Sequence, residues 1–343
     1  MNTIFVSIAS YRDENCPKTL FSLFENAKYP ERIFVGICQQ NKNSDIPCIT
    51  ENFPYKNNIR MIYKDYQEAK GPTWARYLCS TLYQNEDFFL QIDSHSLFVQ
   101  DWDEKCIQMI LSLENSPKIE NKKVMLSHYP PSYHNYQKNP SDDRVTTMVE
   151  CFFNKDGILS FKGAQWRKTG PLPKRNAFIA GGFIFCRALW LKEVPFDPHL
   201  KYLFVGEEIL ITIRSYTHGW DVYTPNKNIV YHFYTRPKDP KIWKDMHYDN
   251  TEAKQKVKII LKLDDNLNQL TTKEVYDSIQ TYNIGTVRSL DDFYDFVGVD
   301  LKNKTVGKPK IEFFSKPNYT IGNSIIISLF FLFLFILLLK KNN

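Results

Sequence analysis

The stretch FFLQIDSHSLFVQDWD (88–103) is an apolar run that ends in Asp93-Ser94-His95. A carboxylate and an imidazole one residue apart, where the chain leaves a strand, can face the same ion. Oxygen plus nitrogen suits Mn²⁺ or a similar first-row divalent cation, whereas Mg²⁺ accepts the oxygens more readily than the nitrogen. The same three letters also make an ordinary surface turn, so the reading depends on what converges with them. His232, in NIVYHFYTR directly after another apolar run, would complete a metal face with Asp93 and His95. By itself, a lone histidine near a strand end is more often structural.

Three further groups could serve the same chemistry. Val205-Gly206-Glu207-Glu208 precedes the apolar run ILITIRSYTHGWD, which puts two acids in a first helical turn. Helix-start chemistry accounts for that placement equally well. Lys70-Gly71-Pro72-Thr73-Trp74-Ala75-Arg76 opens a helix with Gly-Pro and carries Arg76 into its first turns. A guanidinium there matches phosphate bidentately, or simply faces solvent. Ala180-Gly181-Gly182 lets a ligand approach the backbone closely, and a strand bulge explains the glycines as well.

These groups need strand ends and helix starts to hold them. IFVSIA (4–9) and IFVGIC (33–38) read as buried strands. Between them Pro17 opens a helix with Leu20, Leu23, Phe24 and Ala27 at helical spacing, which makes a parallel βαβ unit. The pattern continues with a strand at 59–63, a helix from Pro72 to about Tyr83, a strand at 87–93 and an amphipathic helix through Trp102, Cys106, Met109, Ile110 and Leu113. That alternation predicts an α/β fold with an open, mostly parallel sheet covered by helices. Ligands then gather beyond the carboxyl ends of the strands, where Asp93 lies. Residues 132–175 read as long loops with one short strand or hairpin near 146–153. FIAGGFIFC (178–186) reads as a strand, 188–194 as a helix, 228–234 as a strand and 250–315 as small helices.

The 343 residues are 43% hydrophobic and 24% charged with 13 glycines, which excludes a disordered, collagen-like, coiled-coil or disulfide-framework protein. A net charge of +6 without a dense basic run does not point to nucleic acid. Residues 321–339, IGNSIIISLFFLFLFILLL, hold no charge and are followed by Lys340-Lys341. As a helix they would span roughly 28 Å, close to the hydrocarbon thickness of a bilayer. The N-terminus shows no basic segment, long apolar run or cleavage site. The expectation is a single-pass C-terminal membrane anchor with the main body in the cytosol. The seven cysteines, an odd number without CxxC spacing, agree with that compartment. The final KKNN also matches a dilysine retrieval pattern, which would require a cytosolic tail and so leaves the topology open.

In this order, the segments IFVSIASYRDENCPKTL (4–20), AKGPTWAR (69–76), FLQIDSHSLFVQDWD (89–103), FIAGGFIFC (178–186), FVGEEI (204–209) and THGWDVYTPNKNIVYHFYTR (217–236) resemble the polypeptide α-N-acetylglucosaminyltransferases. These are GT-A type glycosyltransferases that include cytoplasmic enzymes acting on hydroxyproline and Golgi enzymes acting on Ser/Thr. The mucin-type polypeptide GalNAc-transferases share the skeleton more distantly. Many relatives carry a basic residue soon after the DxH motif, where this chain has Ser96-Leu97-Phe98, and the C-terminal span lies outside the family pattern.

The resemblance implies a GT-A domain over 1–240; a small helical extension over 241–318 packed on it and, from the apolar run, a transmembrane helix over 321–339 complete the expected organisation. It implies transfer of GlcNAc from UDP-GlcNAc, with retention, to a hydroxyl of a protein acceptor. Asp93, His95 and His232 would be the metal ligands, for Mn²⁺ first and Mg²⁺ second. Arg76 would support the diphosphate or sugar, and Asp93 also counts among the donor-binding groups. Ser10, Tyr11 and Arg12 would face uridine and ribose, and Gly181 and Gly182 would admit the sugar. Glu207 and Glu208 would be the catalytic carboxylates, holding sugar or acceptor hydroxyls and stabilising positive charge. Another UDP-sugar, a glycan acceptor, a binding module without catalysis and a membrane-tethered structural protein are the competing expectations.

Overall fold

The computed structural model describes residues 2–138, 144–166 and 170–311. The first half follows the expected alternation. β1 (Ile4–Tyr11), α1 (Cys16–Glu25), β2 (Ile33–Asn41), β3 (Ile59–Asp65), α2 (Pro72–Ser80) and β4 (Phe88–Asp93) run in that order. β5 (Ser96–Phe98), α3 (Trp102–Glu114), β6 (Val124–Ser127) and α4 (Tyr133–Lys138) follow. Pro17 sits in the first turn of α1, and Leu20, Leu23 and Phe24 are buried. Gly71 starts α2 with φ 94°, and a Cβ there would lie 2.9 Å from the Tyr202 backbone, so position, not propensity, demands glycine.

The second half contains β7 (Val145–Phe153), β8 (Leu159–Trp166), β9 (Lys174–Arg175), β10 (Phe183–Arg187), α5 (Leu189–Glu193) and α6 (Glu207–Thr217). β11 (Asp221–Thr224), β12 (Val230–His232) and α7 (Ile242–Asp245) come next. α8 (Thr251–Ile260), α9 (Lys273–Thr281), α10 (Leu290–Val297), β13 (Val299–Asp300) and β14 (Thr305–Val306) end the described chain. The stretch expected to be mostly loop is a long β7–β8 hairpin with a bulge between Met148 and Glu150. Its turn is built by Asn154, whose side-chain oxygen accepts from the amides of Asp156 and Ile158, and by Gly157 at φ 72°.

One sheet dominates, in the order β3-β2-β1-β4-β10-β6-β11-β9. The sheet is mostly parallel, as expected, with β10 and the edge strand β9 reversed. β3, β2, β1 and β4 are parallel, as are β6 and β11. β10 runs antiparallel to both β4 and β6. The reason lies in residues 178–182. They reach the sheet at its carboxyl edge, so β10 starts there, with Phe183 opposite Ile92, and can only run back. The expected strand over 178–186 is correspondingly shorter, and Ala180–Gly182 stays at the edge.

Alternate residues of β1 feed two cores, as expected for strands buried on both faces. Ile4, Val6 and Ile8 join Leu20, Phe24, Trp102 and Ile110 on one side. Phe5 joins Phe89, Trp190 and Phe196 on the other. A third core packs α6 against the β7–β8 hairpin, α8 and α10. There Lys256, fully buried, is paired with Asp197 at 2.5 Å and donates to Ser278 at 2.6 Å, so its charge is compensated. All seven cysteines are buried and free. Among the described residues no helix is long and apolar enough to cross a membrane. The expected span at 321–339, and the end of the 241–318 extension, lie outside the described residues.

Candidate active site

The Asp93-Ser94-His95 turn is gripped from α1. Thr19 donates its hydroxyl to the Ser94 carbonyl at 2.8 Å and accepts from the Ser96 amide at 2.9 Å. β5 then pairs antiparallel with β12, placing His232 opposite Ser96. The Phe233 amide donates to the His95 carbonyl and the His232 amide to the Pro131 carbonyl, each within 3.1 Å. Backbone pairing therefore brings together two histidines far apart in the chain, and their ring centroids lie 4.5 Å apart. One ligand atom from each of Asp93, His95 and His232 falls within 4.8 Å of the others. His232 Nε2 is 3.1 Å from Asp93 Oδ2. One carboxylate and two imidazoles fit a first-row divalent cation better than a purely oxygen-seeking one.

Arg76 joins this cluster to the two glutamates. Its Nη1 is 2.9 Å from Glu207 Oε2, and its Nη2 is 3.6 Å from Asp93 Oδ1 and 3.2 Å from the Gly181 carbonyl oxygen. Glu207 also accepts from the Thr73 hydroxyl at 3.0 Å. Glu208 accepts from the Gly181 amide at 2.7 Å and from the Tyr129 hydroxyl at 2.9 Å. A Cβ on Gly181 would lie 3.0 Å from Arg76 Nη2, and one on Gly182 3.0 Å from Asp93 Oδ2. The close neighbours these glycines admit here are the protein's own charged groups.

Ser10 and Tyr11 end β1, paired with β2 and just past its pairing with β4, and Arg12 follows them. Ser10 is buried. The Tyr11 hydroxyl donates to Asp245 at 2.9 Å, and Arg12, at φ 48°, is held between Asp45 at 2.8 Å and Asp245 at 3.0 Å. This second cluster ties the end of β1 to α7.

Asp13, Gln91, Tyr129 and Arg236 belong to the site but went unnoticed in the sequence. Asp13 follows a strand and precedes a proline-started helix, a helix-capping signal that could have flagged it. Its Oδ2 lies 2.6 Å from His95 Nδ1, accepts from Ser94 Oγ at 2.7 Å and meets Arg236 Nη1 at 3.3 Å. Arg236 Nη2 lies 3.1 Å from His95 Nε2. Gln91, buried in β4, donates to the Gly181 carbonyl that Arg76 also holds.

Burial alone would raise the Asp93 carboxyl, but the hydrogen bond to His232 and the charge interactions with His232, His95 and Arg76 hold it well below the usual carboxylate range. Asp13 behaves alike: burial opposes, His95, Arg236 and Ser94 win, and its value falls to about 2. Burial lowers His95 despite its bond to Asp13, which favours the neutral, metal-binding imidazole. Glu208 moves the other way. Burial and the nearby Glu207 charge outweigh its two donors and push it up to about 7.

The family model for glycosyltransferase (GlcNAc) matches residues 3–55 and 50–303. The chain belongs to this GlcNAc glycosyltransferase family. Among solved structures, this family member resembles GalNAc-T7 with UDP, GalNAc and Mn²⁺, at a TM-score of 0.55 and 12% identity over 86% of this chain. It spans 56% of that chain, and the likeness shows the GT-A fold. S. aureus TarS 1–349 in complex with UDP-GlcNAc matches at a TM-score of 0.47 and 13% identity, over 82% of this chain and 73% of that one. No curated protein sequence matches at a significant level.

The raised Glu208 pKa has a measurable consequence. Between its ordinary value of 4.5 and about 7 the folded protein holds a proton that the unfolded chain has lost, so this group makes stability fall as pH rises through that window. His128, buried and pushed down to about 3, acts in the opposite sense below pH 6.5, so the informative quantity is a difference between proteins. Glu208→Gln should gain thermal stability relative to wild type as pH goes from 4.5 to 7, with a plateau above. Parallel melting-temperature profiles would show that Glu208 is not held neutral.

Proposed function

We propose that this protein transfers GlcNAc from UDP-GlcNAc, with retention, to a hydroxyl of Ser, Thr or hydroxyproline on a protein acceptor, using a divalent cation, Mn²⁺ first. The observation that carries the reading is the convergence of Asp93, His95 and His232 within 4.8 Å, in a member of the GlcNAc glycosyltransferase family. GalNAc-T7, whose fold this chain shares, binds UDP, GalNAc and Mn²⁺, which supports a UDP-linked donor and that ion.

In this reading Asp93, His95 and His232 hold the cation. When bound, it supplies Lewis-acid compensation for the negative charge that the donor diphosphate gains as it leaves. Ser10, Tyr11 and Arg12 receive the uridine and ribose, and Gly181 and Gly182 pass the sugar close to the backbone. Arg76, fixed between Asp93 and Glu207, holds both carboxyl groups in place, opposes the upward shift that burial gives Glu207, and adds positive potential beside the diphosphate. Glu207 and Glu208 orient sugar and acceptor hydroxyls, and in their ionised forms stabilise the oxocarbenium-like charge at the anomeric carbon. The anomeric carbon–phosphate oxygen bond breaks, the acceptor oxygen bonds to the same face, and its proton goes to the leaving phosphate. The products are UDP and the glycosylated acceptor. No side chain is assigned as a nucleophile. The apolar run 321–339 anchors the enzyme with its catalytic body on the cytosolic side.

UDP release from UDP-GlcNAc should require Mn²⁺, stop in EDTA and fall by at least about 100-fold in Asp93→Ala and His95→Ala, with folding retained. Undiminished turnover in EDTA would contradict the metal assignment, and turnover with UDP-GalNAc alone would replace the donor. Deleting residues 319–343 should release the protein from membranes into the soluble fraction. A truncated protein that still sediments with membranes would contradict the anchor.

A further inference from the structure

We propose that Asp13 is a positioning residue that fixes the tautomer and aim of His95, so that Nε2 is offered to a divalent cation. The inference rests on the metal reading above and goes beyond it, because Asp13 lies outside the group formed by Asp93, His95 and His232.

Two contacts on opposite sides of the imidazole agree on where its proton lies. Asp13 is 3% exposed and accepts several hydrogen bonds. Ionised carboxylates only accept, so the 2.6 Å contact to His95 Nδ1 requires hydrogen on Nδ1. Across the ring, Arg236 Nη2 lies 3.1 Å from Nε2. Guanidinium groups only donate, so that contact requires a lone pair on Nε2. One neutral tautomer satisfies both, with Nδ1 protonated and Nε2 bare. Nδ1 is committed to Asp13, so a metal would reach the ring at Nε2, in place of the Arg236 guanidinium that Nε2 accepts from here.

Asp13 is itself held rigidly. Its Oδ1 accepts from the Asn15 amide at 2.9 Å, and its Oδ2 accepts from Ser94 Oγ at 2.7 Å, inside the same turn that carries the two ligands. The carboxylate therefore locks ring and turn together, at the N-terminal side of a helix whose Thr19 grips the turn from the other side. A carboxylate behind a metal-binding histidine orients the ring and raises the basicity of the free nitrogen, and its loss typically costs about 10–100-fold in metal affinity. Asp13→Asn keeps the shape and removes the charge. It also gives His95 an amide that tolerates either tautomer.

The test is a Mn²⁺ titration of the full chain without donor, followed by the electron paramagnetic resonance of free Mn²⁺, together with ¹⁵N imidazole spectra of the metal-free wild type. The His95 resonances are identified by their loss in His95→Ala. Wild type should bind Mn²⁺, Asp13→Asn should bind at least about tenfold more weakly with its fold retained at the titration temperature, and His95 should show a protonated Nδ1 and an unprotonated Nε2. Equal affinity in wild type and Asp13→Asn, or a His95 protonated at Nε2, would overturn the proposal while leaving the metal reading intact. If wild type binds no Mn²⁺, the metal reading itself falls and this proposal with it. If Asp13→Asn does not fold, the wild-type spectrum alone decides.

Discussion

Four carboxylates crowd the carboxyl edge of the sheet, and the site depends on how their charge is compensated. Asp13, Asp93, Glu207 and Glu208 are withdrawn from most solvent, and two guanidinium groups and two imidazoles stand among them. Buried negative charge is costly unless it is paired or neutralised. The chain uses both solutions. Arg76 bridges Asp93 and Glu207, Arg236 sits against Asp13, and Glu208 holds its proton up to about pH 7. Asp93 and Asp13 remain ionised. A divalent cation among Asp93, His95 and His232 would relieve the same imbalance with the largest single charge available.

The fold serves that arrangement more by backbone than by side chain. β1 and β4 are parallel neighbours, so their carboxyl ends deliver Ser10–Asp13 and Asp93–His95 to one edge. The short β5–β12 pairing adds His232 through main-chain hydrogen bonds. The reversal of β10 adds Gly181 and Gly182, where any side chain would crowd Arg76 or Asp93. α6 begins at Gly206, with φ 107°, and points its first two acids into the same space. Each ligand or carboxylate is thus set at the end of a rigid element, with the precision a bound donor would need.

What was legible in the sequence was what local physics decides. The buried apolar run from Ile4, the helical spacing of Leu20, Leu23 and Phe24, and the Gly71-Pro72 helix start all appear in the structure where the sequence puts them. The direction of β10 was not legible, because a strand's residues do not encode which way it enters a sheet. The β7–β8 hairpin was underestimated, although Asn154 and Gly157 carry the turn signal. Asp13 was missed for a different reason. Its importance comes from His95, 82 residues away, and no local pattern announces such a partner. The convergence of Asp93, His95 and His232 was legible because three residue types with one shared chemistry constrain each other where each alone does not.

The most direct test of the central claim is anomalous diffraction at the manganese edge from crystals grown with Mn²⁺ and UDP. A single strong anomalous peak bonded to an Asp93 carboxylate oxygen, His95 Nε2 and a His232 ring nitrogen is the expected result. A peak elsewhere, or UDP bound in full occupancy with no metal at these three residues, would contradict it.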